Sequence, residues 1–126
     1  MENVTILRPQ ERVRQDGEAI AVIYRNLGTA TAEPMVTRAL GELALAMTQL
    51  AATVRGRDLT DMARQLRRMR RMAENLGMVS LSQVAEDLCT CLDRADSTAF
   101  AAVWARLLRV AERSLSAEQG FADLSV

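Results

Sequence analysis

The segment from Asp61 to Gly77 most strongly limits what this chain can fold into, because it carries an apolar stripe and an arginine face at the same helical spacing. At about 100° per residue, one set of apolar side chains falls on a single side of a helix. That set is Leu59, Met62, Leu66, Met69, Ala73 and Leu76. The opposite arc holds Arg64, Arg67, Arg68, Arg70 and Arg71. We expect the stripe to face a core and the arginines to face water or a partner, with Gly77 ending the helix.

The composition favours helices over sheets. A chain of 126 residues fits one domain and can bury most of its apolar surface. Only four residues are aromatic, one Trp, one Tyr and two Phe. The core is therefore expected to be aliphatic, which suits helices that pack on helices. We assign residues 1–126 to a single all-α domain.

Two helices are predicted before the arginine segment. The first runs from about Glu18 to Leu27 and ends at Gly28. A loop over residues 28–32 follows, and Pro34 suits the first turn of a long second helix that reaches about Arg55. Its apolar positions keep heptad spacing at Val36, Leu40, Leu43, Met47, Leu50 and Val54. We expect this seam to pack within the same bundle, with pairing to a second copy as the alternative.

The helices on either side of Gly77 carry start signals. Asp58 is expected to cap the arginine helix. Ser80 and Gln83 match a capping box, and Val79 with Val84 has the spacing of a hydrophobic staple. The fourth helix is therefore predicted to start at Ser80 and to run to about residue 94.

The last helix is predicted to begin at a cap formed by Asp96 or Ser97. Its inner face is expected to consist of Phe100, Val103, Trp104, Leu107, Ala111 and Leu115. Residues 1–14 are predicted to form an arm and residues 117–126 a frayed tail. Short connections between four substantial helices predict an antiparallel up-and-down four-helix bundle with a short additional N-terminal helix.

Several kinds of chemistry are excluded by residue type. The chain has no histidine, so histidine acid/base catalysis, phosphohistidine and imidazole metal ligation are impossible. Cys89 and Cys91 point about 200° apart on a helix, which disfavours a zinc site or a disulfide between them. We expect no enzyme activity and no cofactor, because no nucleophile-and-base pair, metal cluster or glycine-rich phosphate loop is present.

Charge and hydropathy limit the partners and the location. Sixteen basic residues, all arginine, balance sixteen acidic residues, which argues against a general nucleic-acid binder. No stretch approaches 18 apolar residues, and the N-terminus lacks the pattern of a signal peptide. We therefore expect a cytoplasmic protein that does not enter a membrane.

The third and fourth helices resemble a known family. Histidine phosphotransfer domains of bacterial phosphorelays are four-helix bundles with a signature close to His-x-Leu-Lys-Gly-Ser-Ala-x-x-Leu-Gly. The segment from Arg67 to Gly77 keeps the family's Ala73, Leu76 and Gly77 and a basic residue at Arg70. The run from Leu81 to Cys89 is similar to the family's next helix. The resemblance extends over residues 35–115.

Two departures change what the resemblance implies. Arg67 stands at the position of the phosphorylated histidine, and Arg71 replaces the small glycine that lets a receiver domain approach closely. Because a guanidinium stays protonated, it offers no nucleophilic lone pair, so phosphoryl transfer is excluded at this site. The resemblance implies a phosphotransfer-incompetent member of two-component signalling that binds a response-regulator receiver domain. The expected partner-binding residues are Arg64, Arg67, Arg68, Arg70, Arg71 and Glu74.

Other interpretations stay open. The arginine face is chemically matched to carboxylates, yet exposed arginines are also common on solvated helices, where pairs such as Arg70 with Glu74 contribute little. The helices could serve as a protein interaction module unrelated to phosphorelay, and the first helix could mediate a homodimer. A nucleic-acid role for the arginine face is less favoured, because net charge is zero and aromatic residues are scarce.

Overall fold

A computed structural model describes the backbone of residues 12–124 and the side chains of residues 12–116. Five helices account for most of this part of the chain, and it contains no strand. They are α1 (Gly17–Leu27), α2 (Thr29–Gly56), α3 (Leu59–Asn75), α4 (Val79–Asp93) and α5 (Ser97–Leu124). The predicted all-α class is confirmed.

The helices pack mainly on their neighbours in the chain. The most extensive contacts join α3 to α4 and α4 to α5, and α2 packs on α3. Helix α1 lies against α2, and α2 meets α5 over a shorter length. This packing is that of an all-α bundle, whereas the antiparallel four-helix arrangement stays a prediction. Helix α3, which carries the arginines, packs between α2 and α4 in this series.

The core is aliphatic, as its composition predicts. Its largest fully buried side chains come from α2 to α5 and from the turn between α3 and α4. They are Leu43, Leu50, Leu66, Met69, Met78, Leu81, Leu88, Leu107, Val84 and Val110. Four of the six seam positions on α2 are buried, and Leu40 and Val54 are half-buried against the same core. The seam is therefore occupied within the chain.

The predicted loop over residues 28–32 is wrong. Gly28 alone separates α1 from α2, because its positive φ of 76° lets the chain change direction at one residue. Its amide donates to the Tyr24 carbonyl oxygen at 2.8 Å, and its carbonyl oxygen accepts from the Ala32 amide at 2.9 Å. Pro34 consequently lies inside α2, five residues after Thr29, and does not occupy the first turn.

The capping box at Ser80 is also wrong. Helix α4 begins at Val79, with Met78 in the capping position and no capping hydrogen bond from a side chain. The Ser80 hydroxyl oxygen instead accepts from the Arg14 amide at 2.7 Å, and the Ser80 amide donates to the Arg14 carbonyl oxygen at 3.2 Å. A segment near the N-terminus of the chain therefore accepts a hydrogen bond from an amide at the start of α4 that has no partner within the helix.

We call residues 12–16, which supply that cap, the strap. Val13 packs against the core, and the Gln15 side-chain amide donates to the Ser114 carbonyl oxygen on α5 at 3.1 Å. The Asp16 amide donates to the Gly77 carbonyl oxygen. The strap thus joins the turn between α3 and α4 to α5. The rest of the predicted arm, residues 1–11, lies outside the described residues.

The other two predicted caps form. The Asp58 carboxylate accepts from the Asp61 amide at 3.1 Å at the start of α3. The Asp96 carboxylate accepts from the Ala99 amide at 3.0 Å before α5, so Asp96 and not Ser97 is the cap. Helix α5 continues to Leu124, and the predicted fraying of residues 117–126 stays a prediction, with residues 125 and 126 outside the described part.

The inner face of α5 follows its predicted pattern. Leu107 and Ala111 are buried, and Trp104 is half-buried against the core. Phe100, Val103 and Leu115 are also partly buried there. Among the described residues, no helix combines the length and apolar character that a membrane crossing requires.

Candidate functional site

Helix α3 buries its apolar stripe and leaves its arginines at the surface. Met62, Leu66, Met69, Ala73 and Leu76 are buried, as predicted. Leu59 is 64% exposed, so its place in the stripe is wrong. It is the first residue of the helix, where the spacing still fits but the neighbouring helices no longer cover the side chain.

Two of the five arginines are held by carboxylates on their own surface. The Arg64 guanidinium forms an ion pair with Asp61, three residues earlier on α3. The Arg70 Nε lies 3.4 Å from Glu74 Oε1, and an Arg70 terminal nitrogen lies 3.9 Å from Glu86 Oε1 on α4. The Arg70 Nε is buried and its contact with Glu74 lacks hydrogen-bond geometry, so this is an ion pair only. Arg70 therefore bridges α3 and α4.

The other three arginines have no such partner in the described part of the chain. Arg67, Arg68 and Arg71 are exposed, and no ion pair or hydrogen bond engages their side chains among the described residues. Arg68 lies about 200° around the helix from Arg70, the residue that meets α4. The predicted set is thus divided between two sides of α3. Arg67 acts on Cys89 of α4 and so lies on the side of α3 that adjoins α4, and Arg71 lies one turn further along, pointing away from the core.

The N-terminal end of this surface is a shallow depression of about 450 Å³. It is lined by Asp58, Thr60, Asp61, Arg64 and Arg67. Asp61 is fully engaged, because its two carboxylate oxygens take Arg64 and, at 2.6 Å, the Gln65 side-chain amide. Two carboxylates in the depression offset its arginines, so we do not assign it an anion.

Cys89 on α4 lies beside the arginine surface and is half-buried. Burial raises the pKa of its thiol. Arg67 opposes the rise in pKa, Asp93 adds to it, Arg70 opposes it and Glu86 adds to it, in that order of size. The thiol thus stays protonated near neutral pH and is not an activated nucleophile. Cys91 is also free and half-buried.

The carboxylates of α4 were missed in the sequence. Glu86 contacts Arg70, and both Glu86 and Asp93 lie within electrostatic reach of Cys89. Their positions three residues before and four after Cys89 place all three on one side of α4. The sequence shows this spacing. It does not show that this side of α4 lies beside the arginines, because that depends on how α4 packs against α3. Among the residues described, no group of His, Cys, Asp or Glu is arranged to hold a metal ion.

A second surface feature lies between α1, α2 and α3. It is an apolar groove of about 250 Å³ lined mainly by Ile23, Met35, Val36, Ala39, Met72 and Leu76. Helix α1 has no fully buried residue, and Val22, Leu27 and Met35 are exposed apolar side chains. The predicted homodimer through α1 stays a prediction.

No family model matches the chain, and no curated protein or solved structure matches it.

Proposed function

We propose that this protein is a signalling adaptor, similar to a histidine phosphotransfer domain, that binds the receiver domain of a response regulator without carrying phosphate. The observation that carries the proposal is the exposed, unpaired guanidinium of Arg67 on α3, at the position that the resemblance gives to the phosphorylated histidine. Arg71 lies one turn further along the helix and is also unpaired.

The chemistry of these two arginines favours a carboxylate-bearing partner. A planar guanidinium donates two parallel hydrogen bonds to a carboxylate, and such charge-assisted bonds are stronger than neutral ones. Because neither Arg67 nor Arg71 has an ion-pair partner within the described chain, binding breaks no internal pair. The resemblance implies a receiver domain, whose active site is a cluster of Asp carboxylates around a magnesium ion.

The same residues exclude transfer of phosphate through this position. A guanidinium stays protonated and has no lone pair for attack on a phosphoaspartate. The chain has no histidine to take over that role. Arg71 also fills space that the family leaves to glycine, so the partner must dock with room for this side chain.

The surroundings of the arginines disfavour a nucleic acid. Asp61, Glu74 and Glu86 all pair with arginines of α3, so carboxylates border the basic surface at several points. A phosphate backbone is a dense row of negative charge that these carboxylates would repel. A protein surface of mixed charge fits better.

The proposal is tested by measuring binding of the purified protein to the receiver domains of its own genome, each with and without a phosphoryl mimic. The double variant Arg67→Glu, Arg71→Glu is expected to weaken binding to any receiver bound by the wild type at least about tenfold, because it reverses both unpaired charges. Arg38→Glu, Arg55→Glu is the matched control, since it makes the same change of net charge at two exposed arginines on α2. It should change binding little.

Two results would contradict the proposal. One is that no receiver binds the wild type. The other is that the α2 control weakens binding as much as the α3 double variant does, which would mean that net charge alone decides binding. Incubation with a phosphorylated receiver should leave no label on this chain, and acid-labile label on it would refute the incompetent assignment.

A further inference from the structure

The arginine surface of α3 does not end at the edge of that helix. Arg70 reaches Glu86 on α4 at 3.9 Å, so the charged sides of the two helices adjoin each other. On α4, Glu86 and Asp93 are seven residues apart and therefore lie nearly in line along one side. Cys89 lies between them, and the charges of Arg67, Arg70, Glu86 and Asp93 all act on the pKa of its thiol. A basic row on α3 thus runs beside an acidic row on α4.

The acidic row is available to a partner. Asp93 is exposed, and no ion pair engages it among the described residues. The side chain of Glu86 is 64% exposed, and its ion pair with Arg70 is long, at 3.9 Å. Such an exposed pair is weak and leaves most of the Glu86 carboxylate free for a second cation.

We propose that the docking surface spans both helices, and that the partner carries a lysine or arginine that meets Glu86 and Asp93 of α4 while its carboxylates meet Arg67 and Arg71 of α3. This inference rests on the proposed function and names the partner surface more narrowly. A purely acidic partner would be repelled by the α4 carboxylates as it approached the arginines. A partner that carries both carboxylates and cations is attracted by the arginines of α3 and by the carboxylates of α4. Because the two helices lie side by side, only one orientation of the partner matches both sets of charges.

The two partner types predict opposite effects for one substitution. For a partner with a cation opposite α4, Asp93→Arg places like charges together, and we expect at least about fivefold weaker binding. For a purely acidic partner, the same substitution removes repulsion and adds attraction, so binding becomes tighter. The sign of the change decides between them.

The probe is the receiver domain that binds the wild-type protein most tightly in the binding experiment above. Affinity is measured for Asp93→Arg, for the neutral Asp93→Asn, and for Glu112→Arg, an exposed acidic position on α5 that serves as control. We expect weaker binding in the order Asn then Arg at position 93, and little change at position 112. Unchanged or tighter binding by Asp93→Arg overturns the inference.

Weaker binding by Asp93→Arg would not be caused by loss of the fold. Asp93 is the last residue of α4, where a negative charge opposes the helix dipole and an arginine complements it. The Arg variant should be at least as stable as the wild type. If no receiver binds the wild type, the proposed function fails together with this inference. If Arg67→Glu, Arg71→Glu abolishes binding and Asp93→Arg does not weaken it, only the inference fails.

Discussion

The amide of Asp16 donates a 2.6 Å hydrogen bond to the carbonyl oxygen of Gly77, and the Asp16 carbonyl oxygen fills the space that a Cβ on Gly77 would need. Gly77 also has a φ of +71°, which side chains other than glycine rarely allow. Conformation and space therefore both require glycine at the point where the strap meets the turn between α3 and α4.

Gly77→Ala is expected to lower the free energy of unfolding by about 2–4 kcal/mol, because it adds backbone strain and displaces the strap. Chemical denaturation measures this change. Gly41→Ala is the control, since Gly41 lies inside α2 with open space where its Cβ would be. That substitution should raise the free energy of unfolding by about 0.5–1 kcal/mol. A cost below about 1 kcal/mol at position 77 would contradict the close contact.

Two leucines of α3 should respond very differently to truncation. Leu66 is fully buried, so Leu66→Ala is expected to cost about 2–5 kcal/mol of unfolding free energy through lost contacts and an added cavity. Leu59 is 64% exposed, so Leu59→Ala should stay within about 0.5 kcal/mol of the wild type. Equal costs at the two positions would mean that α3 packs over its first turn as well.

The thiol of Cys89 can report the charges around the arginine surface. In a Cys91→Ser background, its alkylation rate against pH should show a pKa above that of an exposed thiol, because burial disfavours the thiolate. Arg67→Ala should raise this pKa further, and Asp93→Asn should lower it. A pKa that does not respond to either substitution would remove Arg67 and Asp93 from the neighbourhood of Cys89.

The raised pKa of this thiol also has a consequence for stability. In the unfolded chain the thiol ionises near pH 9, while in the folded chain it still holds its proton. The folded state therefore binds more protons in this range. It follows that the contribution of Cys89 to stability decreases as pH rises above about 9.

The sequence predicted helices and their buried sides well, because burial selects a regular period. The stripe of α3, the seam of α2 and the inner face of α5 all follow from that period, and their core residues lie where it places them. Leu59 does not follow this period. It is the first residue of α3, where neighbouring helices no longer cover the side chain, and periodicity alone does not show where that cover ends. The preference of proline for first turns predicts that α2 begins near Pro34. The helix begins earlier, at Thr29, because Gly28 alone makes the connection from α1.

The failures at Ser80 and on α4 have another origin. A capping box is a local pattern, whereas the partner of Ser80 comes from Arg14, 66 residues earlier in the chain. Likewise, the ion pair between Arg70 and Glu86 depends on how α4 packs beside α3. Contacts between segments decide both cases, and no spacing within one segment contains them.

Trp104, the only tryptophan in the chain, gives this molecule a built-in optical probe. It is half-buried on α5 against the core, and α3 carries no aromatic residue. Its emission should therefore report the loosening of α5 from the core. Intrinsic tryptophan fluorescence can thus measure unfolding, while a label on the partner measures binding.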